Sequence, residues 1–405
     1  MARQVLCSII ATIALSALAA GDSCAAEAGA QPGSTNVHRR GSLDNSRMRF
    51  QLQGRGHVAF IGGSITEMPG YRPMVCELLK KRFPATQFTF TDAGVSSTCS
   101  TTGAFRLERD VLSQGPVDLF FIEFAVNDDQ DAGHARRECI RGLEGIIRHA
   151  RRHNPQMDIV VTYFVNPEML ATLRQGKTPL TSGAHEAVVT HYGVSSIDLA
   201  QEVAARIDAG QLTWEQFGGT HPAPRGNALC TEMIDQLLGA AWQVPMPANA
   251  RPAPHPMPAE PLDRDNYEDG RFVDPKNAEL LRGWQLETPA WAKLPGSCRT
   301  RFRDLPLLCA AEPGAELTLK FRGRAIGAYV LAGPDAGVVE AGIDGGPFQK
   351  FDLYHRFSRG LHYPRTVLFH ADLAPGEHTL RLRMTGERNP SSSGTAMRIL
   401  QFTAN

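Results

Sequence analysis

Short polar segments of this chain carry the residue types that nucleophilic acyl transfer requires. Ser64 follows two glycines at the end of an apolar run that starts at His57. Because glycines let the backbone turn sharply, this pattern predicts a strand, a tight turn and a helix, with the Ser64 hydroxyl exposed at the carboxyl end of the strand. A serine after a strand is also a common helix N-cap, so the segment alone fits both a nucleophile and a cap.

Other segments could provide the remaining groups. The loop Gly94–Ser97 consists of small residues whose backbone amides can point at a ligand, and Asn127 offers a side-chain amide after the next apolar run. His221 stands between a glycine turn and a proline, which predicts a loop position. A hydroxyl nucleophile, hydrogen-bond donors for an oxyanion and a general base are together what acyl transfer needs.

These segments follow predicted strands in an alternating pattern of strands and helices. Such a pattern predicts a parallel sheet covered on both faces, with functional residues at the carboxyl ends of its strands. The predicted strands are residues 57–61, 87–92, 117–124, 158–165 and 194–198. The predicted helices are 71–82, 135–153, one after Pro224 and, with a weaker pattern, 182–192. The charged run 106–110 could line a cleft, but its composition favours a solvated helix face.

The composition changes after this α/β domain, which we predict to span residues 56–243. Residues 244–263 are rich in proline and alanine and are predicted to be an extended linker. Residues 264–405 show short alternating runs between turn signals, which predict an all-β sandwich. The runs are 316–321, 325–331, 337–343, 366–371, 378–384 and 396–402.

The amino terminus and the charge balance indicate an exported protein with a neutral or small partner. An apolar run from Val5 to Ala20 predicts a cleaved signal peptide over residues 1–26, and 27–55 are predicted to be a mobile lead-in. Cys24 would also allow a lipoprotein signal, although the residues before it match poorly. The 42 basic and 42 acidic residues balance, which argues against nucleic acid as a partner. We expect no integral membrane segment after signal cleavage, and a secreted or periplasmic location.

The cysteine pattern favours disulfides over a metal site. No CxxC motif or His/Cys cluster suggests a metal ligand set, so we expect none. The preferred disulfide joins Cys298 to Cys309, which flank a short segment. Cys76 and Cys230 could form a second bridge or remain buried free thiols.

The ordered segments resemble the four blocks of the SGNH, or GDSL-type, hydrolases across roughly residues 55 to 242. The resemblance implies a flavodoxin-like three-layer sandwich, an esterase activity and no cofactor. By position it makes Ser64 the nucleophile and His221 the general base, with Asn127 and the amides of Ser64 and Ser97 as oxyanion donors. The segments that carry it are Gly62–Thr66, Gly94–Ser97, Val126–Asp128 and Thr220–Pro222.

The chain departs from that family at two positions. Ser97 stands where the family has a glycine, which is acceptable if its backbone angles allow its amide to serve. Gly218 stands where the family has the aspartate that orients the histidine, and losing such a residue can cost about 10⁴ in kcat. The Gly218 carbonyl could accept from His221 instead. Several carboxylates could also substitute, namely Glu215, Asp128, Glu67 and Glu123.

The β region resembles the jelly-roll modules that accompany SGNH esterases acting on carbohydrates. The polar segment 383–394 within it could contact a sugar or form a loop only. We therefore interpret the chain as an exported serine esterase that removes a small acyl group, with acetyl favoured, from a carbohydrate. Two alternatives remain at this stage: a degenerate hydrolase that acts as a carbohydrate-binding protein, and an O-acyltransferase that uses the same nucleophile.

Overall fold

A mostly parallel sheet organises the first half of the chain in the computed structural model, which describes residues 34–247 and 249–405. The predicted signal peptide and residues 27–33 lie outside the described residues. In the part of the chain that is described, no helix combines the length and apolar character needed to cross a membrane. The sheet strands are β1 (Val37–His38), β2 (Arg55–Gly62), β3 (Gln87–Gly94), β4 (Leu119–Glu123), β5 (Asp158–Thr162) and β6 (Ser195–Ile197).

The strand order β1-β6-β5-β4-β2-β3 is flavodoxin-like, with one added edge strand. Strands β2 to β6 pair in parallel, whereas β1 pairs antiparallel with β6. The connections diverge from β2 and β4, so the crevice outside the carboxyl ends of these two strands is the expected ligand site. The predicted flavodoxin-like fold is confirmed.

Helices cover both faces of this sheet because its strands are apolar on both sides, as in β4, where every residue is buried. The Phe60 and Phe121 rings from adjacent strands stack with centroids 4.9 Å apart. The helices are α1 (Asp44–Gln53), α2 (Ser64–Glu67), α3 (Tyr71–Arg82), α4 (Ser100–Asp110), α5 (Arg136–His153), α6 (Pro167–Arg174), α7 (Leu180–His191), α8 (Leu199–Asp208), α9 (Trp214–Phe217) and α10 (Pro224–Ala241).

Residues 34–55 correct the prediction of a lead-in without lasting structure. Val37 and His38 extend the sheet as β1, and α1 buries Phe50 against Phe88, with ring centroids 5.0 Å apart. The sequence of α1 is mostly polar, so its periodicity is weak. Its stability comes from tertiary contacts of a few buried residues, which local patterns do not report.

The proline-rich segment contains no helix or strand among its described residues, but it lies against the α/β domain. The His255 ring contacts the buried Asp158 carboxylate, with 2.7 Å between Nε2 and Oδ1. The Asn45 side chain also bonds to both backbone groups of Ala253. The described part of this segment is therefore docked through Ala253 and His255, and its behaviour as an extended linker remains a prediction.

The second half of the chain folds as two antiparallel sheets. One sheet has the order β15-β12-β17-β10-β9, with β7 beside β17, and the other has the order β14-β13-β16-β11-β8. Their facing side chains form a second core, with Leu317 and Leu319 of β11 paired to Leu382 and Leu380 of β16. The predicted all-β sandwich is confirmed.

The β domain contains more strands than the sequence predicts. The strands are β7 (Arg271–Val273), β8 (Glu279–Arg282), β9 (Gln285–Glu287), β10 (Leu307–Ala310), β11 (Glu316–Gly323), β12 (Ile326–Ala332), β13 (Gly337–Ile343), β14 (Gln349–Asp352), β15 (Tyr363–His370), β16 (Gly376–Arg388) and β17 (Met397–Ala404), with a short helix α11 (Thr300–Arg303).

The preferred disulfide is not formed. Cys298 precedes α11, whereas Cys309 lies in β10, and both thiols are free. A disulfide requires a specific side-chain geometry, which closeness in sequence alone does not ensure. Cys76 and Cys230 are also free and buried, which agrees with the second of the two alternatives for that pair.

Candidate active site

The strand register brings the first three predicted segments to one edge of the sheet. Gly62 of β2 pairs with Gly94 of β3 on one side and with Glu123 of β4 on the other. The loops that follow these three residues therefore start at the same level. A side chain at Gly62 would meet Thr66, with 2.2 Å between the added Cβ and the Thr66 Oγ1, so only glycine allows the turn that begins α2.

Ser64 and His221 meet across this edge. The Ser64 hydroxyl lies 2.8 Å from His221 Nε2, within hydrogen-bond distance. His221 is exposed on the loop between α9 and α10, where Gly218 and Gly219 both have positive φ. Such backbone angles favour glycine and reverse the chain after α9. For the Ser64 hydroxyl to donate to Nε2, the neutral imidazole must carry its proton on Nδ1.

No described residue accepts a hydrogen bond from His221 Nδ1, because the one hydrogen bond of the ring in that part of the chain joins Nε2 to Ser64. The Gly218 carbonyl makes no hydrogen bond to this ring. Glu215 is exposed on α9 and makes no hydrogen bond to the ring. A side chain at Gly218 is also excluded, since its Cβ would lie 1.9 Å from the Ala223 nitrogen.

Asp128 does not orient His221 either, because other groups occupy its carboxylate. The Ser100 amide and hydroxyl each donate to it over 2.7 Å, and His185 Nε2 lies 2.9 Å away. Burial alone would raise the pKa of the Asp128 carboxyl, but hydrogen bonds from His134 and His185 hold it below its usual range. Asp128 therefore anchors the start of α4 and the loop after β4.

Glu67 and Glu123 also have other partners. Glu67 accepts from the Ser96 amide over 2.7 Å and pairs with Arg301 of the β domain. Glu123 is fully buried, and burial raises its pKa to about 8, although hydrogen bonds from the Gly63 amide and the Thr66 hydroxyl oppose this shift. Glu123 is thus a neutral carboxylic acid beneath the nucleophile turn at neutral pH.

Ser97 has the backbone conformation that explains the glycine of related chains. Its φ is +73°, in the left-handed region where non-glycine residues are strained by about 1–2 kcal/mol. In this conformation its backbone amide has no acceptor among the described residues, and the same holds for the amide of Ser64. Both N–H groups are therefore uncommitted, and their role as oxyanion donors remains a prediction.

Asn127 offers a third hydrogen-bond donor at the carboxyl edge of the sheet, next to the turn at Gly63. It begins a π-helical turn, Asn127–Asp131, and its Nδ2 donates to Asp131 Oδ2 over 2.8 Å. The amide lies directly against Gly63, since a Cβ at that position would be 2.0 Å from Asn127 Oδ1. One N–H of the amide is thus fixed by Asp131, and the other has no acceptor among the described residues.

Arg106 is a buried structural residue. The composition of residues 106–110 predicts a solvated helix face, and for Arg106 this prediction is wrong. It is fully buried, and it donates to the Ala93 carbonyl over 2.7 Å and to the Gly62 carbonyl over 3.0 Å. It therefore ties together the ends of β2 and β3. Small residues in the first turns of α4, which let this helix approach the sheet closely, are the sequence signal for its burial.

One group of potential metal ligands exists among the described residues. Cys99, Asp128 and His134 each place a ligand atom within 4.8 Å of the others. The Asp128 oxygens already accept hydrogen bonds from Ser100 and His185, so we assign no metal to this group. The absence of a cofactor remains an expectation.

The segment 383–394 of the β domain is largely paired within its own domain. Arg383 forms an ion pair with Glu340, and Asn389 Nδ2 donates to Asp352 over 2.6 Å. Glu387 pairs with Lys350. A sugar contact by this segment remains a prediction.

A serine paired with a histidine at the carboxyl edge of a flavodoxin-like sheet places the protein among the carboxylic ester hydrolases. More narrowly, residues 60–229 match the model of the GDSL-like lipase/acylhydrolase family. A comparison with curated protein sequences finds no match.

Solved structures extend the likeness to the β domain. A two-domain esterase active on acetylated mannans is 22% identical, with a TM-score of 0.72, over 91% of this chain and 97% of that one. The structure of such an esterase co-crystallised with mannopentaose gives 21% identity and the same TM-score over 91% of this chain and 96% of that one. At these identities the likeness shows the shared fold of both domains.

Proposed function

We propose that this protein is an exported serine esterase that releases acetyl groups from a carbohydrate through a Ser64–His221 dyad. The observation that carries the proposal is the 2.8 Å contact between the Ser64 hydroxyl and His221 Nε2. The proposed oxyanion donors are the amides of Ser64 and Ser97 and the side chain of Asn127. This set provides a nucleophile, its base and an oxyanion hole.

The reaction follows from these positions. Ser64 Oγ attacks the ester carbonyl carbon while His221 Nε2 takes the hydroxyl proton, and the carbonyl oxygen becomes an oxyanion held by the three donors. Collapse breaks the bond to the sugar oxygen, which leaves as an alcohol with the proton from His221. Water then attacks the acyl-enzyme, gives its proton to His221, and acetate departs as Ser64 regains the proton.

The histidine works here without a carboxylate partner. In a triad the carboxylate holds the imidazole tautomer and stabilises the imidazolium that forms during attack. Since His221 Nδ1 has no acceptor among the described residues, that stabilisation is missing, and the oxyanion donors must supply a larger share of the rate enhancement. We therefore propose a modest turnover that depends strongly on the oxyanion hole.

The substrate class rests on two supports. The two-domain architecture is shared with an esterase active on acetylated mannans. In addition, the balanced charge of the chain fits a neutral polymer better than a polyanion. The predicted signal peptide would export the protein to a compartment where polysaccharides are accessible. We therefore propose an acetylated polysaccharide as the partner.

Acetate release from a panel of acetylated polysaccharides, beside p-nitrophenyl acetate, tests this proposal. Ser64→Ala should abolish release, and a fluorophosphonate should label the wild type once, at Ser64. The exposed Ser113→Ala serves as a matched control and should behave as the wild type. Labelling or turnover that persists in Ser64→Ala would contradict the proposal, and a sugar acceptor that outcompetes water would indicate an acyltransferase.

A further inference from the structure

The β domain contacts both elements that carry the oxyanion donors outside the nucleophile turn. We propose that Tyr363 and Arg299 of this domain are positioning residues that set the geometry of the oxyanion hole in the α/β domain. The inference rests on the proposed function, since it concerns donors that act only in acyl transfer.

Tyr363 acts on Asn127 through Asp131. The Tyr363 hydroxyl donates to Asp131 Oδ1 over 2.7 Å, and Asp131 Oδ2 accepts from Asn127 Nδ2 over 2.8 Å. All three side chains are buried, so water competes little for these bonds. The two oxygens of one carboxylate thus connect a tyrosine of β15 to the proposed oxyanion donor.

This connection determines where the catalytic N–H points. A carboxylate only accepts hydrogen bonds, so the atom of Asn127 that faces Asp131 must be the amide nitrogen. The amide group is planar, and fixing one of its N–H bonds fixes the direction of the other. Because Asp131 can rotate unless its second oxygen is held, the Tyr363 hydroxyl limits the directions that the free N–H can adopt.

Tyr363 is itself rigid enough for this role. Its ring stacks on the His355 ring with centroids 4.5 Å apart and an interplanar angle of 10°. Its hydroxyl also lies 3.4 Å from the Ser97 carbonyl oxygen, beside the second oxyanion element. Burial raises the pKa of Tyr363 well above its usual range, so the hydroxyl remains a donor at all working pH values.

Arg299 holds the strained donor loop. Its guanidinium donates to the Ser96 carbonyl through Nη1 and to Ser97 Oγ through Nη2, both over 2.9 Å. Neighbouring Arg301 donates to the Gly94 carbonyl over 3.0 Å. A planar two-point contact of this kind fixes orientation better than a single bond. It therefore helps to maintain the left-handed backbone of Ser97 that leaves its amide free.

Arg299 also brings positive charge to the loop. Arg301 is paired with Glu67, whereas Arg299 forms no ion pair among the described residues. Its charge therefore lies one hydrogen bond from the residue whose amide would bind the oxyanion, where a developing negative charge is favoured.

The role of these residues predicts where their loss appears in kinetics. Oxyanion donors act on the transition state rather than on the bound ester, so misplacing them lowers kcat and leaves KM nearly unchanged. A domain that only captured sugar would instead change KM, and only for substrates that contain sugar. p-Nitrophenyl acetate has no sugar and separates the two roles.

The test uses the full-length protein and p-nitrophenyl acetate. Tyr363→Phe should lower kcat about 10-fold with KM within about twofold. Tyr329→Phe is the matched control: Tyr329 is another buried tyrosine of this domain, and its hydroxyl has no partner among the described residues. This control should retain wild-type kcat. Arg299→Lys, which keeps the charge but loses the two-point contact, should give an intermediate loss in kcat.

A double-mutant cycle identifies the path of the effect. If Tyr363 acts through Asn127, Tyr363→Phe should cause no further loss in an Asn127→Ala background. An unchanged kcat in Tyr363→Phe, or an equal loss in both backgrounds, would overturn the inference. Either result can occur while Ser64→Ala is inactive, in which case the proposed function stands. An active Ser64→Ala would instead refute the proposed function itself.

Discussion

The two sides of the active site are held with very different strength. On the oxyanion side, Asn127 is fixed by Asp131, and the Ser97 loop is held by Arg299 and Glu67 through Ser96. On the base side, the His221 ring makes a single hydrogen bond among the described residues, to Ser64. The proposed oxyanion donors are thus held by contacts from both domains, whereas the proposed base is held by its loop and by Ser64 alone.

The difference indicates how an esterase can function with a simplified base. Preorganised donors stabilise the charge that develops in the transition state and need no reorganisation during the reaction. An exposed imidazole can still accept a proton, but it lacks a carboxylate that would favour the imidazolium.

The largest effect is expected from His221→Ala, which removes the base. We expect kcat to fall about 10⁴-fold or more. Because His221 is exposed, added imidazole should enter the vacated position and restore part of the activity, measured as acetate release against imidazole concentration. Glu215→Ala is the matched control on the preceding helix and should keep wild-type kcat. A loss in Glu215→Ala comparable to that in His221→Ala would show that a triad acid exists after all.

Asn127→Ala tests the preorganised side and should lower kcat about 10²–10³-fold, as removal of one oxyanion donor does elsewhere. KM should change little, because the donor acts on the transition state. Steady-state kinetics on p-nitrophenyl acetate provide the measurement, with the exposed Asn277→Ala as control. If KM rises while kcat is maintained, Asn127 binds the ground state and the comparison drawn above is wrong.

Gly218→Asp restores the aspartate of the family in sequence but should lower activity. The sequence suggests a gain in kcat, whereas the structure has the Ala223 nitrogen 1.9 Å from the added Cβ, at a φ of +105°. Such overpacking costs about 1–3 kcal/mol, so we expect a lower melting temperature and a kcat reduced about 10-fold. Gly219→Asn is the matched control, because its Cβ meets nothing within 4 Å and asparagine tolerates positive φ. A rise in kcat for Gly218→Asp would show that the loop can reopen.

The smallest effect on chemistry is expected at Glu123, which lies under the nucleophile turn. Its pKa of about 8 in the fold exceeds the value of an unfolded glutamate, so the folded state retains a proton that the unfolded state releases. Stability should therefore decrease as pH rises from about 4.5 to 8, by up to about 1.4 kcal/mol per pH unit, and level off above.

Glu123→Gln imitates the protonated side chain and should remove that contribution. Melting temperatures from pH 5 to 9 should fall less steeply for the variant than for the wild type, with kcat at pH 6 nearly equal. Identical pH dependence of the two proteins would mean that Glu123 is ionised in the fold.

The sequence by itself determined the α/β sheet, the β sandwich and the meeting of Ser64, Asn127 and His221. Apolar runs of strand length and the helical stretches between them are local patterns, and parallel strands deliver their following loops to one edge. The strand–Gly–Gly–Ser turn also depends on nearby residues alone, since a Cβ at Gly62 would meet Thr66. Local rules were sufficient for these features.

Tertiary structure alone decided which partners the polar side chains have. Asp128 and Glu67 are near the site in sequence, yet Asp128 binds Ser100 and His185, and Glu67 binds Ser96. The contact between Tyr363 and Asp131 joins residues 232 positions apart. Hydrogen-bond partners depend on how whole elements pack, and a buried polar group takes whichever partner that packing brings within about 3 Å. The free thiols of Cys298 and Cys309, the docking of α1 and the close approach of Gly218 to Ala223 were decided in the same way.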